Sequence, residues 1–260
     1  MQKLGEDPLV WHTISQNDYE VEKLIYEISE QIGIGDYEEA KLNLNTLVSN
    51  KYKLDMPAER FIKSVQITLD FQDNKDAKKA IEDLKELIPS PLKALREGDI
   101  SKYGLTEQDI VILNEFACMC TDSDNERELG IKILEGLRVF IKDSIKLKRF
   151  YARLFAMISY NLSIEVGKND LKRCLRICDE AISWCLRYDC ISSLAGLSFN
   201  KAYAIIELEL KDEYHEEYIR QLLLQSLSLY NLKKSPKNKE AISIIISYIE
   251  EKGIKIKGYP

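Results

Sequence analysis

Catalysis needs reactive side chains that converge, and in this chain the usual reactive types are few and widely spread. Only two histidines occur, His12 and His215, and they stand far apart. A zinc hydrolase would carry His-Glu-x-x-His on one helix face, and that pattern is absent. So are the Gly-rich phosphate loop and the Gly-x-Ser-x-Gly nucleophile turn. Six cysteines lie at positions 118, 120, 174, 178, 185 and 190, none of them in a Cys-x-x-Cys. That spacing suits no zinc site, so the thiols read as small apolar side chains of a helical core. Adjacent acids such as Glu38/Glu39 and Glu216/Glu217 fall on solvated helix faces rather than across a cleft. The expectation is a protein with no catalytic site, no metal and no cofactor.

Residues that do no bond chemistry can still bind, and the elements holding them decide what. The chain is 45% hydrophobic and 31% charged, which excludes a wholly disordered polypeptide. Its 11 Gly and 6 Pro are few for a long fold rich in β-turns. A net charge of −6 argues against a broad nucleic-acid footprint, which needs concentrated Lys and Arg. No stretch approaches the roughly 18 consecutive apolar residues of a membrane-spanning helix. The first residues lack the apolar core of a signal peptide, so the expected location is the cytoplasm.

Apolar residues recur in steps of three and four. Val21, Leu24, Ile25, Ile28 and Ile32 predict a helix over 18–32, and Ala40, Leu44, Leu47 and Val48 another over 37–48, with Asp36 as its N-cap. Pro57 suits a first turn, and helices follow over 58–71 and 77–88. Residues 89–104 read as an irregular connector. Thr106 and Asp109 make an imperfect capping box for a helix running to about 120. Further helices are predicted over 126–142, 145–166, 171–187, 191–210, 214–232 and 237–252. The reading is all-α, with a linker over 1–17, a repeat domain over 18–253 and a loose tail over 254–260.

Small or apolar residues recur shortly after the hairpin turns: Ala40, Ala80, Gly130 and Cys174, at intervals of 40, 50 and 44 residues. Seven positions on stand Leu47, Leu87, Leu137 and Ala181, and between them Leu44, Leu84, Leu134 and Cys178. Two turns of helix separate the outer members, so each set shares a face. The small residue lets neighbouring helices approach. No hairpin can bury its stripe alone, and a superhelical row of antiparallel hairpins follows, a tetratricopeptide-like α-solenoid with a concave surface. A strict tetratricopeptide repeat is shorter, about 34 residues.

Residues 154–163 (LFAMISYNLS) followed by 171–185 (LKRCLRICDEAISWC) resemble a hairpin from the repeat region of Xre-type transcriptional regulators. Those are the peptide-sensing, Rgg/PlcR-like regulators of low-GC Gram-positive bacteria. Residues 199–204 (FNKAYA) resemble the matching helix of the next hairpin, and 105–114 (LTEQDIVILN) the helix that opens the middle of the region. The similarity spans roughly residues 18–250. It implies a regulatory domain that forms homodimers, binds a short signalling peptide in its groove and so changes the DNA affinity of an N-terminal helix-turn-helix domain. This chain departs from the pattern, because its first amphipathic helix already belongs to the array. Gly5-Glu6-Asp7-Pro8 resembles the linker after the DNA-binding domain. Two explanations fit, a fragment that lacks the DNA-binding part or a stand-alone sensor; DNA would be a partner only through such a missing domain, and a membrane would not be a partner.

The resemblance assigns peptide contacts to asparagines on the first helices of hairpins. An amide side chain both donates and accepts, so it can pair with a peptide backbone whatever its sequence. The matching positions are Asn161 and Asn200, with Asn114 set differently from its register residue. Tyr160, Tyr203, Tyr151 and Phe199 lie close by, as groove lining or as packing between hairpins. Arg153 and Lys201 are candidates for a peptide carboxylate, or solvated cations. Lys146, Lys148, Arg149 and Arg153 form a local basic cluster, and Trp11 and His12 would anchor the N-terminal segment. The alternative is a general scaffold whose groove holds a helix or tail of another protein, with no role in transcription.

Overall fold

The computed structural model describes residues 16–50, 52, 54–88, 100, 105–123, 125–143, 151–191, 193–210, 213–232 and 235–256. Every regular element among them is a helix. Five hairpins follow in order. They are α1 (Gln16–Ile34) with α2 (Tyr37–Ser49), α3 (Met56–Asn74) with α4 (Ala77–Leu87), and α5 (Glu107–Thr121) with α6 (Arg127–Asp143). Then come α7 (Ala152–Gly167) with α8 (Leu171–Arg187), and α9 (Leu194–Glu207) with α10 (Glu216–Leu232). The last helix, α11 (Pro236–Glu251), packs on α10. First helices of successive hairpins touch in a row, α3 on α5, α5 on α7 and α7 on α9.

One local device opens three of the return helices. Asp36, Asp76 and Asp170 stand at the N-caps of α2, α4 and α8, and accept hydrogen bonds from the amides of Glu39 (3.4 Å), Lys79 (3.0 Å) and Arg173 (2.9 Å). Each satisfies an amide that the first turn leaves without a helical partner. The box at α5 is complete. Asp109 N–H donates to Thr106 Oγ1 (3.2 Å), and Thr106 N–H donates to Asp109 Oδ2 (3.0 Å). The shorter acid reaches as well as a glutamate would.

Two boundaries move inward. α7 begins at Ala152 with Tyr151 at its N-cap, not at 145. α9 is confined by left-handed residues, Ser193 (φ 60) and Glu209 (φ 56), so it spans less than 191–210. Trp11, His12, the connector apart from Ile100, and Lys146, Lys148 and Arg149 lie outside the described residues. Ile254 and Ile256 pack on the core beside Leu227, Ile246 and Ile249.

The register residues are interior. Ala40, Ala80, Gly130 and Cys174 are buried, as are Leu44, Leu84, Leu134 and Cys178. Cys120 and Cys185 are buried too, Cys118 and Cys190 partly so, and none of the six forms a disulfide. The apolar interior forms one cluster among α1–α3 and a larger one from α4 to α11, with Val111 of α5 touching both. No helix among the described residues is long and apolar enough to cross a membrane.

Gly130 explains why a small residue is needed at the crossing of α5 and α6. A Cβ there would lie 2.5 Å from the Ala117 carbonyl oxygen and 2.8 Å from Thr121 Cγ2. Gly130→Ala would gain about 1 kcal/mol of helix propensity. Pushing two backbones apart costs more, so a net loss of about 1–2 kcal/mol is expected in urea unfolding. An unchanged midpoint would show that the crossing tolerates a wider gap.

Candidate functional site

Helical geometry picks out the open face of the row. On α5, drawn at about 100° per residue, Val111, Cys118 and Asp122 form a stripe flanked by Asn114 on one side and Glu115 on the other. Asn114 faces α7, because Asn161 Nδ2 donates to its Oδ1 (3.0 Å). Glu115 faces α3, because Thr68 Oγ1 donates to its Oε2 (3.3 Å). The stripe between them therefore points away from the hairpin core. By the same construction α7 presents Arg153, Met157, Ile164 and Lys168, between Asn161 and Tyr160.

The three asparagines sit at the seams between successive first helices. Asn161 bridges α7 to α5, and Asn200 of α9 donates from Nδ2 to Ser163 Oγ of α7 (2.8 Å). Asn114 is 5% exposed, while Asn161 and Asn200 are partly buried. Each bridging amide spends one donor on its neighbour. The carbonyl oxygens of Asn161 and Asn200 accept no hydrogen bond from the described residues. The result is a row of amides with acceptors left over, tying three successive first helices together.

The other candidates are tied into packing. Tyr160 packs against Gly196 of α9, where a Cβ would come within 2.2 Å of its ring. Its hydroxyl is hydrogen-bonded to Tyr230 of α10, and burial raises its pKa. Phe199 and Tyr203 meet Tyr248 of α11 at centroid distances of 5.8 and 5.3 Å. Tyr248 in turn donates to Glu207 (2.7 Å). Tyr151 is buried in the core. Lys201 is 8% exposed and sits on the far side of α9, paired with Asp179 (2.5 Å) and donating to Tyr218 (2.7 Å).

Arg153 reaches across to α1. It pairs with Glu30 (3.0 Å) and Glu107 (3.6 Å), and its guanidinium lies 4.7 Å from the Tyr26 ring centroid. In the same last turn of α1, Lys237 of α11 donates to the Gly33 carbonyl (3.3 Å). First and last helices thus meet, and the row closes on itself. Both cations proposed for a peptide carboxylate already hold acids of the protein.

One residue of this face has a signal in the sequence that residue-type reasoning passed over. Glu115 is the only charged residue from Ile110 to Cys120. Desolvation pushes its carboxyl up to about 7, against a smaller opposing effect of the Thr68 hydroxyl. One turn on, burial pushes the Cys118 thiol up to about 12, helped by the charges of Glu115 and Asp122. Among the described residues no three His, Cys, Asp or Glu side chains gather as a metal site.

A row of hairpins whose first helices share one face defines an α-solenoid of tetratricopeptide type. Two crystal structures of PlcR from Bacillus thuringiensis have a similar fold. The complex with the peptide PapR7 and DNA superposes with a TM-score of 0.65 at 14% identity, covering 94% of this chain and 77% of that one. The apo form gives 0.65 and 14%, covering 88% and 79%. No protein-family model matches the chain, and no curated protein matches it by sequence.

Proposed function

We propose that the array is the peptide-sensing domain of a transcriptional regulator, that it holds a short extended peptide along the asparagine row, and that it works as a homodimer with DNA contacted by a helix-turn-helix domain. The observation that carries this reading is the placement of Asn114, Asn161 and Asn200 on three successive first helices, with the acceptors of Asn161 and Asn200 unspent among the described residues. An enclosed peptide backbone must satisfy its N–H and C=O groups, and such a row does so without regard to side chains. The likeness to PlcR, solved with a peptide and DNA, supports it at the level of the fold.

Asn200→Ala is the cleaner test. Ser163 Oγ keeps its own bond to the Tyr160 carbonyl (2.7 Å), so little is orphaned. Asn161→Ala strands the buried amide oxygen of Asn114 and should also lower stability by about 1–2 kcal/mol. Affinity selection from a random heptapeptide library is expected to yield binders, each weakened by Asn200→Ala by about 1–2 kcal/mol in calorimetry. Binders insensitive to both substitutions would remove the row from the site. A chain that retains only long helical segments would be the scaffold instead.

A further inference from the structure

On α5 Asn114 and Glu115 are neighbours in sequence and bracket the same stripe, one bonded to α7 and the other to α3. The acids around this surface are not equivalent. Glu165 is matched by Arg127 (3.2 Å) and Lys168 (2.6 Å). Glu107 is matched by Arg153 (3.6 Å). Asp122 is exposed to water. Glu115 is partly buried, and among the described residues its one partner is the neutral Thr68 hydroxyl. Lys237, in the first turn of α11, is near enough to act on Cys118, yet it makes no pair with Glu115.

A carboxyl shielded from water with no cation beside it costs stability, and an apolar residue would fill the place more cheaply. Glu115 lies on the flank of the α5 stripe, next in sequence to Asn114 of the asparagine row. We propose that Glu115 receives a positively charged group of the bound peptide, an arginine or lysine side chain or a free N-terminal amine, and so selects cationic over anionic ligands. This rests on the peptide-binding reading and names its ligand class. The cation would complete the pair that the described residues leave open, through a charge-assisted hydrogen bond in a poorly hydrated site. Asn114 and Asn161 would hold the adjoining backbone, fixing which residue of the peptide lies opposite the acid.

The test uses the full chain and two heptapeptide libraries identical except for a free or acetylated N-terminus. Wild-type protein is expected to enrich members with Lys or Arg at one position, or free over acetylated termini, by about tenfold over neutral members. The two libraries tell the side chain from the terminal amine. Glu115→Gln should erase that preference and keep affinity for neutral members, whereas Asn200→Ala should weaken all members alike. Calorimetry of a cationic binder in two buffers of different ionisation enthalpy should show proton release at about pH 7 that disappears in Glu115→Gln. A cationic preference that survives Glu115→Gln, or binders with no charge bias, overturns the role of Glu115 and leaves the peptide reading standing. No enrichment from either library overturns both.

Discussion

Asp109→Ala is expected to destabilise the array by about 3 kcal/mol, more than the loss of an ordinary helix cap. Asp109 is 3% exposed and does two jobs. Its Oδ2 accepts from the Thr106 amide at the start of α5, and its Oδ1 lies 2.9 Å from Arg60 Nη2 of α3. Losing a cap costs about 1 kcal/mol. Removing one member of a buried pair costs about 3–5 kcal/mol, because the other charge stays behind unpaired. Arg60 keeps 23% of its side chain exposed, so part of that penalty is relieved by water. Asp109→Asn preserves an acceptor for Thr106 but removes the charge, and should fall between wild type and alanine. Asp109→Ala combined with Arg60→Met should recover most of the loss, since no charge is then stranded. Urea unfolding of the four proteins checks this. A single-site loss under about 1 kcal/mol would mean that the pair contributes no more than an exposed bridge.

The position of this pair shows what could be read from the chain and what could not. Thr106 and Asp109 are three residues apart, and their reciprocal box follows from local geometry. Arg60 is far away in sequence, and no periodicity announces it. The same division holds at the face. Stripes such as Leu44/Leu47 and Leu134/Leu137 obey a 3.6-residue period, so the hairpins and their buried register could be read directly. Asparagine identity could be read too, but its direction could not, because side-chain aim depends on which helix lies next to it. Asn161 turned out to hold Asn114, which spacing alone gave no reason to expect. Phe199 and Tyr203 are occupied by Tyr248 of α11, more than forty positions downstream. Lys201 reads as a surface cation until Asp179, Tyr214 and Tyr218 are folded around it. Glu115 was visible as a lone charge in an apolar run, a pattern that marks either a buried pair or a functional acid.

Glu115→Gln should separate those two meanings through its pH dependence. The native carboxyl is raised to about 7 by desolvation, while in the unfolded chain it titrates near its ordinary value of 4.5. Between these values the unfolded chain releases a proton that the folded one keeps. Stability contributed by protonated Glu115 is therefore complete below the unfolded pKa and is lost as pH rises through the folded one. The groups nearest this face are Thr68 on α3, Cys118 and Asp122 on α5, Glu165 on α7 and Lys237 on α11, and all of them are unchanged in the variant. Glutamine has nearly the same shape and no charge. At about pH 5 the variant and wild type should unfold at nearly the same urea concentration. At about pH 8 the variant should be more stable by up to about 3 kcal/mol. A gain of equal size at both values would mean that the glutamate is merely a poor fit, with no desolvated charge behind it. If the gain appears only at the higher pH, wild-type protein carries at neutral pH an electrostatic cost that the Thr68 hydroxyl relieves only in part. A ligand bringing positive charge to α5 would remove that cost on binding, so the instability of the free groove and its preference for cations have the same source.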